Sequence, residues 1–325
     1  DDITPLRNLT PNVLNEDAVF LPTRPVTQRI QGFGGWPEGD AAFTGPNPPD
    51  GAVITYYQKS RHLFGKLKLQ VYDANGKLID TLPGSVRRGI NRVTWDMRVK
   101  PPRVPPAAQV AFNSAQGPRV VPGSYTVKLL KGDKTYENTL NIGLDPRDPF
   151  TLADRKAQFD AAMKVSDLFG RMTDLDYRIV AVRKAAQARA AHAGSDPALQ
   201  KQLNALADKA DDIRKQIVAT KEGGAITGEE REREYLDDVY GAIAGYEGAP
   251  TAYQLARVDA LSREVDDTAK DFDGLRNDDL AKVNAALQAK GLQEITVPDK
   301  APDDSSGAAG SGATDRDRDA MFGRD

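Results

Sequence analysis

Cysteine is absent from this chain of 325 residues. That absence excludes disulfides, thiolate metal sites and thiol nucleophiles, but it leaves the compartment open, because exported proteins also manage without disulfides. Histidine occurs only twice, at His62 and His192, and neither has a partner at ligand spacing, so a metal centre or a catalytic triad lacks its usual parts. Long hydrophobic runs are missing, and with them any segment able to span a bilayer as a helix. An excess of one charge is missing too. Lys and Arg number 44 against 47 Asp and Glu, and the net charge of -3 gives no reason to propose nucleic acid or an anionic membrane as a partner. The first residue is Asp1 rather than Met, with no leader before it, which is expected of a piece of a longer polypeptide; a trimmed mature protein is the competing expectation.

What is present changes character along the chain. Residues 1–44 read as an irregular N-terminal segment, because Pro5, Pro11, Pro22 and Pro25 interrupt it, although Asp17 to Leu21 suits a short strand. The stretch GFGGWPEG at 32–39 lacks the Lys-Ser/Thr of a phosphate loop and reads as a glycine loop anchored by Trp36. A turn-rich entry, GPNPPD, leads to a β-branched and aromatic strand at 52–57. Leu67, Leu69 and Val71 then alternate with polar residues, Asn75-Gly76 marks a tight turn, and Leu78, Ile79 and Leu82 give the return strand. Ile90 to Met97, with Val93, Trp95 and Met97 on one face, completes an expected β-meander. A Pro-rich connection at 100–122 precedes two more strands, one carrying Tyr125, Val127 and Leu129, the other running from Thr135 to Ile142 across the turn Gly132-Asp133. Six or seven short strands with frequent turns predict an immunoglobulin-like β-sandwich over 45–145.

From 146 the period switches to that of helices, opening with a Thr151/Asp154 capping pair. The first helix carries Phe159, Met163, Leu168, Met172, Leu175, Ile179 and Val182. The second has a seam at Leu199, Leu203, Leu206, Ala210, Ile213 and Ile217, ended by Gly223-Gly224. Thr227 and Glu230 are expected to cap a third with Leu236, Val239, Tyr240 and Ile243. A fourth follows with Val258, Leu261, Val265 and Phe272, then a short fifth with Leu280, Val283 and Leu287. The fold class is therefore β plus α and multidomain: the sandwich, then an antiparallel helical bundle over 146–298, then a disordered Gly/Ser/Asp tail over 299–325.

Candidate chemistry is sparse. Asp211-Asp212, Asp237-Asp238 and Asp266-Asp267 lie near Lys and Arg on helices and read as solvated faces with i,i+4 ion pairs; a glycosidase needs two carboxylates at a set separation, which adjacency does not supply. Asp271, Asp273, Gly274, Asn277 and Asp279 fail the EF-hand spacing and read as an N-cap cluster for the helix that follows. Trp95, beside Asp96, reads as a core residue. Of the adjacent Tyr56 and Tyr57, one must point inward and the other could stack on a sugar. No catalytic, cofactor-binding or metal-binding residue is assigned.

The sequences GPNPPDGAVITYY (45–57), LQVYDANGKLIDTL, GINRVTWDMR and VPGSYTVKL resemble the C-terminal region of bacterial BNR-repeat, sortilin/sialidase-like "glycosyl hydrolase" proteins. In that family a large exported β-propeller precedes such a sandwich and a helical segment follows it, and the opening DDITPLRNLTPNVL looks like the exit from a propeller. Asp73, Gly76, Lys77, Gly89, Asn91, Val93, Trp95, Asp96, Gly123 and Tyr125 also resemble the Ig-like domain of flagellar hook-capping proteins; these are turn and core positions, so the likeness carries fold and not catalysis. It implies an extracytoplasmic, non-catalytic docking or structural region. The partner would be its own upstream β-propeller or a separate envelope protein, with no nucleic acid, no membrane span and no cofactor. The alternatives are an accessory part of a glycoside hydrolase or sialidase site, or a carbohydrate-binding module needing exposed aromatics such as Trp36 and Tyr57.

Overall fold

A computed structural model describes residues 2–28, 50–193, 196–221, 223 and 228–302. The glycine loop with Trp36, the turn-rich entry before Asp50, Gly224, the Thr227 cap and the tail from Asp303 lie outside these residues. The chain divides into two compact units. The first comprises Asp1–Lys100, Gly117–Phe159 and Ala244–Ala249; the second comprises Pro101–Gln116, Asp160–Ile243 and Pro250–Asp325. The boundaries therefore differ from contiguous blocks at 45–145 and 146–298. The Pro-rich stretch 101–116 belongs to the helical unit, and the first two turns of the first long helix belong to the sheet-bearing unit.

The first unit opens with two short helices, α1 (Thr4–Arg7) and α2 (Pro11–Asn15), followed by strands β1 (Ala18–Leu21) and β2 (Val26–Gln28). The N-terminal segment is thus more regular than its prolines suggest. Pro5 and Pro11 sit in first helical turns, where the missing N–H has no partner to lose. Six further strands follow: β3 (Ala52–Gln58), β4 (Leu67–Tyr72), β5 (Leu78–Pro83), β6 (Gly89–Trp95), β7 (Gly123–Lys131) and β8 (Lys134–Leu144). They form a three-stranded sheet in the order β1-β3-β6 and a five-stranded sheet in the order β2-β8-β7-β4-β5. All pairings are antiparallel except that of β2 with β8, which is parallel.

The alternation read in the sequence is the alternation that fills the core. Leu69 and Val71 of β4, Val127 and Leu129 of β7, and Ile54 and Tyr56 of β3 are buried in one cluster with Trp95. The Trp95 ring stands edge-on to Tyr125, with centroids 5.5 Å apart. At the β4–β5 turn the Asp73 carboxylate accepts the N–H groups of Asn75 and Lys77, both at 2.9 Å, and Gly76 takes φ +78. The meander, however, is not formed. β4 and β5 pair as a hairpin, but β6 pairs with β3 in the other sheet. Pro83 closes β5, where its lost donor suits an edge, and the connection that follows carries the chain across to the partner sheet.

In the second unit the helices are α3 (Leu152–His192, from Asp160 onward), α4 (Pro197–Ile217), α5 (Glu232–Ala244), α6 (Ala252–Leu275) and α7 (Ala281–Gln288). The Thr151/Asp154 capping box forms, with Asp154 N–H donating to Thr151 Oγ1 at 3.2 Å and Thr151 N–H donating to the Asp154 carboxylate at 2.8 Å. All six seam residues of α4 are buried. The expected break between the fourth and fifth helices is absent. α6 passes through a π-helical turn, Arg276–Leu280, directly into α7, so the N-cap reading of Asp273 to Asp279 does not hold. The wider turn lets Leu275 and Leu280, five residues apart, both be buried, which a regular α-turn would not allow on one narrow stripe.

Candidate functional site

The residues singled out in the sequence are mostly occupied with structure. Tyr56 and Tyr57 are both buried: the Tyr56 hydroxyl donates to Ser85 O at 2.9 Å, and that of Tyr57 donates to Leu14 O of α2 at 3.3 Å. Tyr57 is therefore no sugar-stacking surface, because α2 covers the face that was expected to be open. His192 is exposed at the end of α3. Asp211 pairs with Lys215 four residues on at 2.9 Å and Asp267 with Lys270 three residues on at 2.7 Å, as solvated helix faces should, whereas Asp211 with Arg183 and Asp266 with Arg171 join different helices. Asp237 departs from that reading. It is buried and accepts from Ser114 N at 2.8 Å, from Asn113 N at 3.2 Å and from Asn113 Nδ2 at 3.3 Å, so its carboxylate holds the short 3-10 turn Asn113–Ala115. Asp271 and Asp279 do come together, in an open groove with Lys209, Asp212 and Lys270, but Lys209 already neutralises Asp279 at 2.7 Å. Among the described residues no group of three His, Asp or Glu is placed to hold a metal ion.

Other buried ionisable groups escaped the sequence reading, because their partners are far away in the chain. In the first unit Arg155 Nη2 donates to Gln28 Oε1 and Gln28 Nε2 donates to Val120 O, each at 2.9 Å. Beside them Arg119 Nη1 lies 3.5 Å from Glu247 Oε1. Burial, with Arg155 and Arg98 nearby, pulls the Arg119 guanidinium down to about 10. In the second unit a cavity of about 320 Å³ is lined by Pro106, Thr173, Asp176, Tyr177, Arg183 and Arg214, among others. Asp176 Oδ1 lies 3.2 Å from Arg214 Nε, yet burial outweighs the three neighbouring arginines and pushes its carboxyl up to about 6. Of the cavity's cations, Arg183 is taken up by Asp211 and Arg214 by Asp176, while Lys184 also lines it. Glu232 on α5 is pushed up to about 7 by burial, against the Thr268 hydroxyl that donates to it at 2.6 Å.

The charge that balances over the whole chain is unevenly placed. From 51 to 72 and from 81 to 95 there is not one Asp or Glu, while the two runs carry seven Lys and Arg. The structure brings the middles of these runs together. The connection between β3 and β4 and that between β5 and β6 meet where His62 N–H donates to Val86 O at 3.0 Å. Buried side chains hold the second connection from beneath. Gln58 Nε2 donates to Ser85 O at 2.8 Å and Arg87 O at 3.2 Å, and Asn91 Nδ2 donates to Arg87 O at 2.9 Å and Gly89 O at 3.0 Å. Gly65 takes φ +88, a conformation that a side chain would strain, and so turns the first connection back toward β4. The result is a tip from which Phe64 projects at 87% exposure and Leu63 at 67%, with Val86 on the adjoining connection. Arg61, Lys66, Arg87 and Arg88 on the same two connections are exposed, and none forms an ion pair with a described residue. An acid-free run was the sequence signal for this tip; net charge averaged it away.

No helix among the described residues is long and apolar enough to cross a membrane. No protein-family model, no curated protein and no solved structure matches this chain.

Proposed function

We propose that this chain is the non-catalytic docking and structural region of an exported β-propeller protein of the sortilin/sialidase-like kind, working outside the cytoplasm through protein contacts at the cell envelope. In this reading the two sheets are an immunoglobulin-like sandwich and the helices an antiparallel bundle. The strand order supports the first part: β1-β3-β6 matches strands A, B and E of that architecture, and β8-β7-β4-β5 matches G, F, C and C′. The Tyr125 hydroxyl, bonded to Val121 O four residues upstream at 2.5 Å, resembles the tyrosine corner of such domains. Trp95 lies on the strand equivalent to E rather than C, so the core is filled by a different route.

The observation that carries docking is the outer edge of β5. It is the last strand of its sheet, it has no strand partner among the described residues on that side, and Leu78 on it is exposed. Such an edge is a template for a strand from a partner, whether the chain's own propeller or a separate envelope protein. The seam of α4 is not available for this purpose, since it is filled by the unit's own core. The test compares amide hydrogen exchange of 78–83 in this chain and in natively isolated material. Slower exchange in the native material, with crosslinks from this edge to residues outside the chain, is expected. Identical exchange and crosslinks confined to the chain would remove the docking reading.

A further inference from the structure

We propose that the tip formed by the β3–β4 and β5–β6 connections is a peripheral docking site for an anionic lipid surface, separate from the β5 edge. Three observations point to that partner. First, the apolar groups protrude: Phe64 and Leu63 are adjacent and largely exposed, which suits insertion into the headgroup–acyl boundary. Second, Arg61, Lys66, Arg87 and Arg88, on the same two connections, are exposed without acidic partners among the described residues, which suits the phosphates and carboxylates of anionic headgroups. The N-terminal element reaches β3 near this end through Lys59 N–H donating to Asp17 O, and the Asp17 carboxylate is already engaged by Lys131 at 2.5 Å and Lys134 at 3.3 Å. Third, the β5–β6 connection is held in place. The bonds from Gln58 and Asn91 to the carbonyls of Ser85, Arg87 and Gly89 fix the shape of the half that carries Val86, Arg87 and Arg88, and His62 N–H donating to Val86 O ties the half that carries Leu63 and Phe64 to it, which lowers the ordering entropy that binding must overcome.

Size argues against a protein partner at this place. Three apolar side chains and four cations fall well short of the roughly 20–30 residues a side that a stable protein interface needs. A lipid surface needs no complementary pocket. A few inserted side chains provide the apolar part, and each cation near an anionic leaflet strengthens binding roughly fivefold. The near-zero net charge does not oppose this, since charges more than about 10 Å apart are screened from one another at 0.1 M salt.

The experiment is co-sedimentation of the whole chain with vesicles of phosphatidylcholine alone and with about one-third phosphatidylglycerol, at low and at high salt. Binding to the anionic vesicles only, weakened at least tenfold by high salt, is expected. A Leu63→Ser/Phe64→Ser variant and an Arg87→Glu/Arg88→Glu variant should each lose at least tenfold in affinity; both change exposed residues, and circular dichroism verifies their fold. A Phe64→Trp variant should bind as the parent does and show an added emission that shifts to the blue on anionic vesicles. No binding to anionic vesicles, equal binding to both kinds, or undiminished binding by the Leu63→Ser/Phe64→Ser variant would each overturn the proposal. If vesicles are ignored while Lys66 in native material crosslinks to a protein outside this chain, the tip is a protein contact and the lipid assignment falls. The β5 edge reading is judged by its own exchange data and stands or falls separately.

Discussion

At the scale of single residues, the informative groups are carboxyls that the fold has buried. Glu232 sits at about 7 against an ordinary value of 4.5, first because it is buried and then because Glu264 and Asp271 lie near it. An acid whose folded value is raised holds its proton more tightly in the native state. Stability therefore falls as pH rises from about 4.5 to 7 and stays low above that. Asp176, raised to about 6, contributes in the same direction over a slightly lower window. Asp17, held down to about 2 by Lys131 and helped by Tyr136 and Lys134, acts oppositely, adding stability as pH rises toward 4. Glu232→Gln keeps an acceptor for the Thr268 hydroxyl and removes the charge. It should stabilise the chain by about 1–3 kcal/mol at pH 8 and by close to nothing at pH 4, as measured by urea unfolding at the two values. Equal effects at both would mean that Glu232 is not titrating in this window.

At the scale of elements, two glycines separate a close approach from a helical interior. A Cβ on Gly117 would lie 1.8 Å from Val99 O and 2.7 Å from Lys100 C and O, so the strand-like bridge between Arg98 and Arg119 leaves it no room. Gly117→Ala should cost at least about 3 kcal/mol. Gly274 has nothing within 4 Å of the same position and lies inside α6. Gly274→Ala should therefore stabilise by about 0.5–1 kcal/mol, read as a rise in melting temperature. A loss at Gly274 would restore the broken-helix reading of this stretch, in which the glycine serves a turn. The stretch was misread because clustered Asp, Asn and Gly are good caps wherever a helix does start. Here the burial of Leu275 and Leu280 outweighs that preference and keeps the helix running.

At the scale of the whole molecule, the chain path matters more than the position of the composition change. The first unit needs β1, which pairs with β3 from Ala18↔Gln58 to Leu21↔Thr55, and β2, which pairs with the end of β8. It also needs Arg155, whose buried guanidinium meets Gln28. A fragment spanning 45–145 lacks all three. It should fail to give a cooperative unfolding transition, whereas the whole chain should give one; a folded, cooperative 45–145 would show that the contiguous boundaries were adequate after all.

The local rules were legible in the residues themselves. Period-two alternation located β4 and β7, Asn75-Gly76 located the β4–β5 turn, Thr151 with Asp154 located the start of α3, and the seam from Leu199 to Ile217 located α4. Each of these depends on neighbours within a few positions, which sequence displays directly. Tertiary structure alone decided which strands share a sheet, that Asp237 and Glu232 lose their solvent, that Tyr57 is covered by α2, and that two acid-free runs meet at one tip. All four depend on groups tens of residues apart, and the free energy of burial or of a local field is set by what surrounds a group in space rather than by what precedes it in the chain.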